Sequence, residues 1–127
     1  MVNLVTKANG SEPTCGQCCV AMLCGLTEDE ACERMGHRRS TCLGDLHDAL
    51  TDDVYIIEPA QRIVGPLPKG EICLVTAHIT TPGPKRHKHW FVWDGEFILC
   101  PDNGVFIVED MNDPHCRLTS YYEVLYG

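Results

Sequence analysis

The spacing of apolar residues changes near the middle of this 127-residue chain, and this change restricts the possible folds more than any other feature. In the first half, apolar side chains recur at helical spacing between glycines and capping residues. In the second half, short runs rich in β-branched and aromatic residues are separated by turn residues. Helices followed by antiparallel strands predict an α+β fold, with N-terminal helices packed on an antiparallel β-sheet.

Three helices are predicted in the first half, over residues 15–23, over residues 28–35 and after Ser40 or Thr41. Gly25 follows the first helix, at the position where a left-handed residue commonly ends one. Thr27 and Glu30 have the spacing of a capping box, and Gly36 follows the second helix. We expect the third helix to bury the leucines at positions 43, 46 and 50.

Strands are predicted at residues 2–6, 54–57, 71–79, 89–93, 96–100 and 105–108. Asp94 and Gly95 supply the residues of a type I′ hairpin turn. A last helical turn is indicated by serine and glutamate at positions 120 and 123. Trp90 and Trp93 are three apart on one predicted strand, so we expect them on opposite faces. The length predicts one domain over residues 1–127.

The chain is acidic, with 10 Lys and Arg residues against 18 Asp and Glu residues and a net charge of −8. Such a surface disfavours nucleic acid and anionic membranes as partners. No apolar run approaches the roughly 18 residues that a membrane span needs. The N-terminal segment lacks the charged lead and the apolar stretch of a secretory signal, so we expect a cytoplasmic protein.

Nine cysteines are many for a chain of this size. Their number is odd and no export signal accompanies them, which disfavours a disulfide framework. The remaining roles are those of buried apolar side chains, of metal ligands or of one reactive thiol.

Cys15 follows a turn-rich loop and opens an apolar helix. The unpaired amides and the dipole of a helix N-terminus favour negative charge, so this position predicts a thiolate with a pKa below its ordinary value. Gly16 leaves room for another chain to approach the sulfur. A buried structural cysteine is the ordinary alternative at this position.

His89 opens a predicted strand that leads into a tight turn, which holds its imidazole rigidly. Such a histidine can serve as the base for a thiol. Asp102 follows the hairpin and can orient the imidazole by accepting its other N–H. The ordinary alternatives are a packed histidine and an aspartate that only shapes a turn.

The Cys-Gly helix start, the His-aromatic strand and the Pro-Asp turn, in this order, resemble the papain-like cysteine peptidases, and among them small bacterial and phage proteins similar to C39 peptidases. The segments TCGQCCVAM and HWFVWDG carry the likeness, which covers residues 9–25 and 89–104 and, more loosely, the helices at 28–50. The resemblance implies a papain-like fold and a cysteine peptidase that needs no cofactor. Its substrate would be a peptide or isopeptide, which it hydrolyses or joins to an amine.

The resemblance makes Cys15 the nucleophile and His89 the general base. In the implied mechanism, the Cys15 thiolate attacks a carbonyl and His89 protonates the leaving group. Water or an amine then resolves the thioester.

Two positions depart from the family pattern. The family usually has a glutamine as oxyanion donor where this chain has Asn9, which offers the same amide on a shorter arm. The family's orienting aspartate precedes a proline, and here Cys100 occupies that position. We therefore assign the orienting role to Asp102, with Asn103 as the alternative.

Two other functions stay open. Cys15 and Cys18 have a spacing found in zinc sites, and His87 and His89 can supply two more ligands, which predicts a small zinc-binding module. The two departures also allow a catalytically weak or inactive papain-like protein that binds a partner, such as a phage protein that blocks a host factor.

Overall fold

The computed structural model describes residues 2–80, 86–110 and 116–127. The elements in chain order are α1 (Cys15–Cys24), α2 (Glu28–Met35), α3 (Leu43–Ala49), β1 (Val54–Arg62), β2 (Cys73–Thr80), β3 (Arg86–Trp93), β4 (Ile98–Cys100), β5 (Gly104–Phe106), a short 3₁₀ turn (Val108–Asp110) and β6 (Cys116–Tyr126). Three N-terminal helices pack against a six-stranded antiparallel sheet, which confirms the predicted α+β class.

The ends of the first two helices follow the sequence prediction. Gly25 ends α1 and Gly36 ends α2, both in the left-handed region with φ of 70° and 86°. The Thr27 hydroxyl accepts from the Glu30 amide, and the Glu30 carboxylate accepts from the Thr27 amide, so the predicted capping box is confirmed. The third helix begins after Cys42, slightly later than expected.

The strand order is β1-β6-β2-β3-β4-β5, which places the last strand of the chain between the first two. The predicted helical turn near residues 120–123 is therefore wrong, because this segment pairs with β1 on one side and with β2 on the other. Residues 2–6 form no strand. The β3–β4 loop spans 94–97 instead of two residues, because Trp93 pairs with Ile98 and the Asp94 carboxylate accepts from two loop amides.

The sheet has two differently covered faces. Leu74, Trp90 and Val92 pack with the helices on one face, which we call the helix face. Val75 and Trp93 pack on the opposite face, which we call the far face, together with side chains from the loop before β2. Trp90 and Trp93 thus lie on opposite faces, as predicted.

Among the helices of the described residues, none has the length and apolar character that a membrane crossing requires. The longest, α1, has 10 residues.

Candidate active site

A cavity of about 180 Å³ opens where the start of α1 meets β3. Cys15 and His89 both line it, although they belong to segments far apart in the sequence. Lys7, Thr41 and Trp90 contribute other parts of the wall. The two residues expected to form a nucleophile–base pair therefore border one common space.

Two polar contacts of Glu28, one buried and one partly buried, hold the backbone around Cys15. Glu28 is 8% exposed, and its carboxylate accepts from the Thr14 hydroxyl at 2.6 Å and from the Ala8 amide at 2.9 Å. One side chain of α2 thereby holds both the residue before Cys15 and the loop that leads to it.

Gly16 is required by a close approach inside the protein. A Cβ at this position would lie 2.1 Å from the Thr41 hydroxyl oxygen. The space beside the sulfur is thus partly filled by the protein's own Thr41, whose buried hydroxyl oxygen finds no hydrogen-bond partner among the described residues.

The Cys15 sulfur is a thiol with a raised pKa, contrary to the expectation from its helix position. The backbone N–H groups of Trp90 and Gly16 donate to the sulfur and lower the pKa. Burial has the larger effect and raises it, and the nearby Asp102 carboxylate raises it further. The helix start does supply an amide to the sulfur, as expected, but it lowers the pKa less than burial raises it.

The His89 imidazole is buried on β3 and held through its Nε2 atom. This nitrogen lies 3.4 Å from Asp102 Oδ2 and 3.6 Å from the Cys100 sulfur. The ring also meets the Phe91 ring edge-on, with centroids 4.5 Å apart. Burial lowers the pKa of His89, Asp102 opposes this effect, and the Lys7 ammonium lowers the pKa further.

Lys7 is the site residue that the sequence analysis missed. Its backbone N–H donates to the Pro101 carbonyl at 2.9 Å, and its ammonium forms an ion pair with Asp102 Oδ1. Asp102 therefore joins a lysine through one oxygen and His89 through the other. No local motif marks this lysine, because a pairing across most of the chain brings it to the site.

Asn9 does not belong to the residues that line the cavity. It is exposed, and its side-chain oxygen accepts from the amide and the hydroxyl of Ser11. Asn103 is also exposed, and its backbone N–H donates to the Cys100 sulfur. The oxyanion role of Asn9 and the orienting role of Asn103 stay predictions.

The described side chains form one group of at least three potential metal ligands, and it differs from the set that the sequence suggested. His89, Cys100 and Asp102 each offer a ligand atom, and these atoms lie within 4.8 Å of one another. Cys15 and Cys18 are not part of this group, and the structure does not describe the side chain of His87.

No protein-family model, no curated protein and no solved structure matches this chain. The family resemblance therefore rests on the quoted motifs alone, and the function has to be argued from the site.

Proposed function

We propose that this protein is a cysteine-dependent hydrolase or acyltransferase of peptides or isopeptides, with Cys15 as nucleophile, His89 as base and Asp102 as the residue that orients His89. One observation carries the proposal: Cys15, at the first residue of a helix, shares a cavity with a histidine whose Nε2 is paired with a carboxylate. Acyl transfer by a thiol needs an imidazole beside the thiol and a carboxylate that orients this imidazole.

The pKa directions favour a neutral resting pair over an ion pair. The pKa of Cys15 is raised and that of His89 is lowered, so at neutral pH the site holds a thiol and an uncharged imidazole. The proton then moves from sulfur to imidazole as the thiol attacks, which is general-base catalysis. Because Nε2 faces Asp102, Nδ1 is the nitrogen that remains to accept this proton.

Positive charge in the cavity supports the stabilisation of an oxyanion. The N–H groups of the first turn of α1 point toward the start of the helix, where Cys15 borders the cavity, and a helix start leaves such N–H groups without backbone carbonyl partners in the helix. Lys7 also lines the cavity, and its ammonium group is held beside the site by the ion pair with Asp102. In this proposal, Lys7 stabilises the oxyanion, the role that the family pattern gives to the residue at the position of Asn9.

A second candidate function is partner binding without catalysis. The raised pKa of Cys15 favours it, and so does the Lys7–Asp102 ion pair, which draws negative charge away from the side of Asp102 that faces His89. In that case the cavity would recognise a partner group and the thiol would stay intact.

Thiol labelling separates the two candidates. The reduced protein is treated with iodoacetamide and, in parallel, with a peptide vinyl sulfone that ends in glycine, and the modified cysteines are located by mass spectrometry. Cys24 is the matched control, because it lies on the same helix and is also half-buried. We expect the peptide probe to modify Cys15 and to leave Cys24 unmodified.

The base is tested by His89→Gln, which should slow labelling of Cys15 at least about tenfold, since a positioned base contributes about 10²-fold or more. Asp102→Asn should slow it less, and Cys24→Ser should leave it unchanged. If Cys15 reacts no faster than Cys24, or if His89→Gln has no effect, the catalytic proposal is wrong and partner binding is favoured.

A further inference from the structure

The geometry points to a second property of this molecule: His89, Cys100 and Asp102 form a binding site for a zinc-class divalent cation. These residues offer one imidazole nitrogen, one thiol sulfur and one carboxylate oxygen within 4.8 Å of one another. This nitrogen–sulfur–oxygen set is typical of zinc, and three protein ligands leave a fourth position for water.

The interatomic distances agree with tetrahedral zinc coordination. Zinc–ligand bonds of about 2.3 Å to sulfur and about 2.1 Å to nitrogen and oxygen separate sulfur from nitrogen by about 3.6 Å and nitrogen from oxygen by about 3.4 Å. The Cys100 sulfur lies 3.6 Å from His89 Nε2, and Asp102 Oδ2 lies 3.4 Å from the same atom. Two edges of the coordination tetrahedron are therefore already present in the protein.

The surrounding elements hold the ligands in different ways. Cys100 is 1% exposed at the end of β4, so its sulfur has a fixed position. The Asp102 side chain is 32% exposed, which gives an ion and its water a route to the site. Lys7 contacts Oδ1, which leaves Oδ2 as the coordinating oxygen and supplies an outer contact that orients the carboxylate.

Zinc at this site would also act on the chemistry proposed above, a consequence that rests on the proposed function. A metal on Nε2 of a neutral imidazole leaves the proton on Nδ1. Nδ1 then cannot accept the proton of Cys15, so zinc would block attack by the thiol. The cation site would thus switch off the nucleophile without touching its sulfur.

Cobalt titration of the reduced, metal-free protein tests the site, because Co²⁺ gives a sulfur-to-metal charge-transfer absorption and is displaced by Zn²⁺. We expect one Co²⁺ per chain, with the absorption lost in Cys100→Ser and the affinity at least about tenfold lower in Asp102→Asn. Asp102→Asn changes a partly exposed side chain, so it tests the site even if Cys100→Ser fails to fold.

Two matched controls test whether the sulfur that binds the metal is that of Cys100. Cys73→Ser removes a buried thiol from the same face of the sheet, and Cys18→Ser removes the second cysteine of the Cys15–Cys18 spacing. Both should keep the charge-transfer absorption. Loss of binding in Cys18→Ser, or unchanged binding in both Cys100→Ser and Asp102→Asn, would overturn the proposal.

Cys15→Ser separates the metal site from the proposed enzyme. It removes the nucleophile and should leave cobalt affinity unchanged. Failure of the labelling experiment with normal cobalt binding would refute only the thiol chemistry, whereas normal labelling without cobalt binding would refute only the metal site.

Discussion

The two faces of the sheet differ in what covers them, and the candidate site lies where they meet. The helix face is covered by α1, α2 and α3, and its buried cluster extends from Cys19 to Val124. The far face carries a smaller buried cluster that includes Cys100 and is completed mainly by loop side chains and parts of β6. His89 contacts Phe91 and Cys100 of this far-face cluster, whereas Cys15 packs against the helix-face cluster.

The meeting point exists because β4 is short. Among the described residues it pairs with β3 at Val92 and Trp93 alone, so β4 does not cover the edge of β3 before them. The start of α1 occupies part of this edge, where the Trp90 amide donates to the Cys15 sulfur. The difference between the faces teaches that the helix face carries most of the buried apolar side chains, whereas the short β4 leaves an edge of β3 open for the candidate site.

The largest contrast that we expect concerns the contacts that hold Cys15 in place. Glu28→Gln should lower the free energy of unfolding by about 2–3 kcal/mol, because the buried Thr14 hydroxyl and the Ala8 amide, whose hydrogen bond is partly buried, lose a charged acceptor. Asp29→Asn is the matched control, since Asp29 contacts Arg38 as Glu28 does but is 88% exposed, and it should cost less than about 0.5 kcal/mol. Urea unfolding followed by tryptophan fluorescence measures both. Equal costs would show that Glu28 does not anchor this loop.

A smaller contrast concerns the approach of Thr41 to α1. Gly16→Ala should cost about 1–3 kcal/mol, because the added methyl collides with the Thr41 side chain. At Gly10, an added Cβ would meet no atom of the described residues within 4 Å, so Gly10→Ala should change stability by less than about 0.5 kcal/mol. Thr41→Ala combined with Gly16→Ala should restore part of the loss in urea unfolding. If it restores nothing, the collision is not the cause.

A direct comparison of the faces uses two fully buried valines on neighbouring strands. Val92→Ala, on the helix face, should cost about 2–3 kcal/mol, and Val75→Ala, on the far face, about 1 kcal/mol less, because the loops there can collapse further into the cavity. Denaturant midpoints of the two variants measure the difference. A larger cost for Val75→Ala would reverse the proposed division of roles.

The smallest contrast concerns alkaline pH, where we expect a buried thiol of α1 and one of the far face to behave alike. Burial raises the pKa of Cys18, in α1, and of Cys73, on the far face, to about 12. Unfolded thiols lose their protons near pH 9 while these stay protonated, so the unfolded state binds fewer protons and stability falls from about pH 9 to about pH 12. The fall is at most about 1.4 kcal/mol per pH unit for each thiol.

The test is urea unfolding between pH 8 and 10.5. Cys18→Ala and Cys73→Ala should each reduce the decrease of the unfolding free energy with pH, and by similar amounts. If a variant shows the same dependence of the unfolding free energy on pH as the unchanged protein, the thiol that it lacks ionises equally easily in the folded and the unfolded state.

Local signals predicted what local interactions determine. The capping box at Thr27 and the left-handed glycines at Gly25 and Gly36 depend on neighbours within one helical turn, and the first two helices follow them. The segment around Ser120 has a capping pattern of the same kind but forms part of β6, because hydrogen bonds to β1 and β2 on both sides outweigh a weak helical preference.

The same distinction between local signals and distant contacts applies to the candidate site. Cys15, His89 and Asp102 were selected by motif, and the structure brings them to one region. Lys7 was missed, because only its backbone bond to Pro101 places it there. The pKa of Cys15 was expected to fall, because the dipole of a helix start can be inferred from sequence, whereas the burial of its sulfur depends on the packed fold.

The position of β6 sets an order of events during synthesis. The helices and the β2–β3 hairpin can form as soon as their residues leave the ribosome, but β1 pairs, within the described parts of the chain, with β6 alone and so waits for residues 116–126. The earliest strand must therefore wait for the latest one before the sheet closes, and apolar groups such as Ile56 stay exposed to solvent in the meantime.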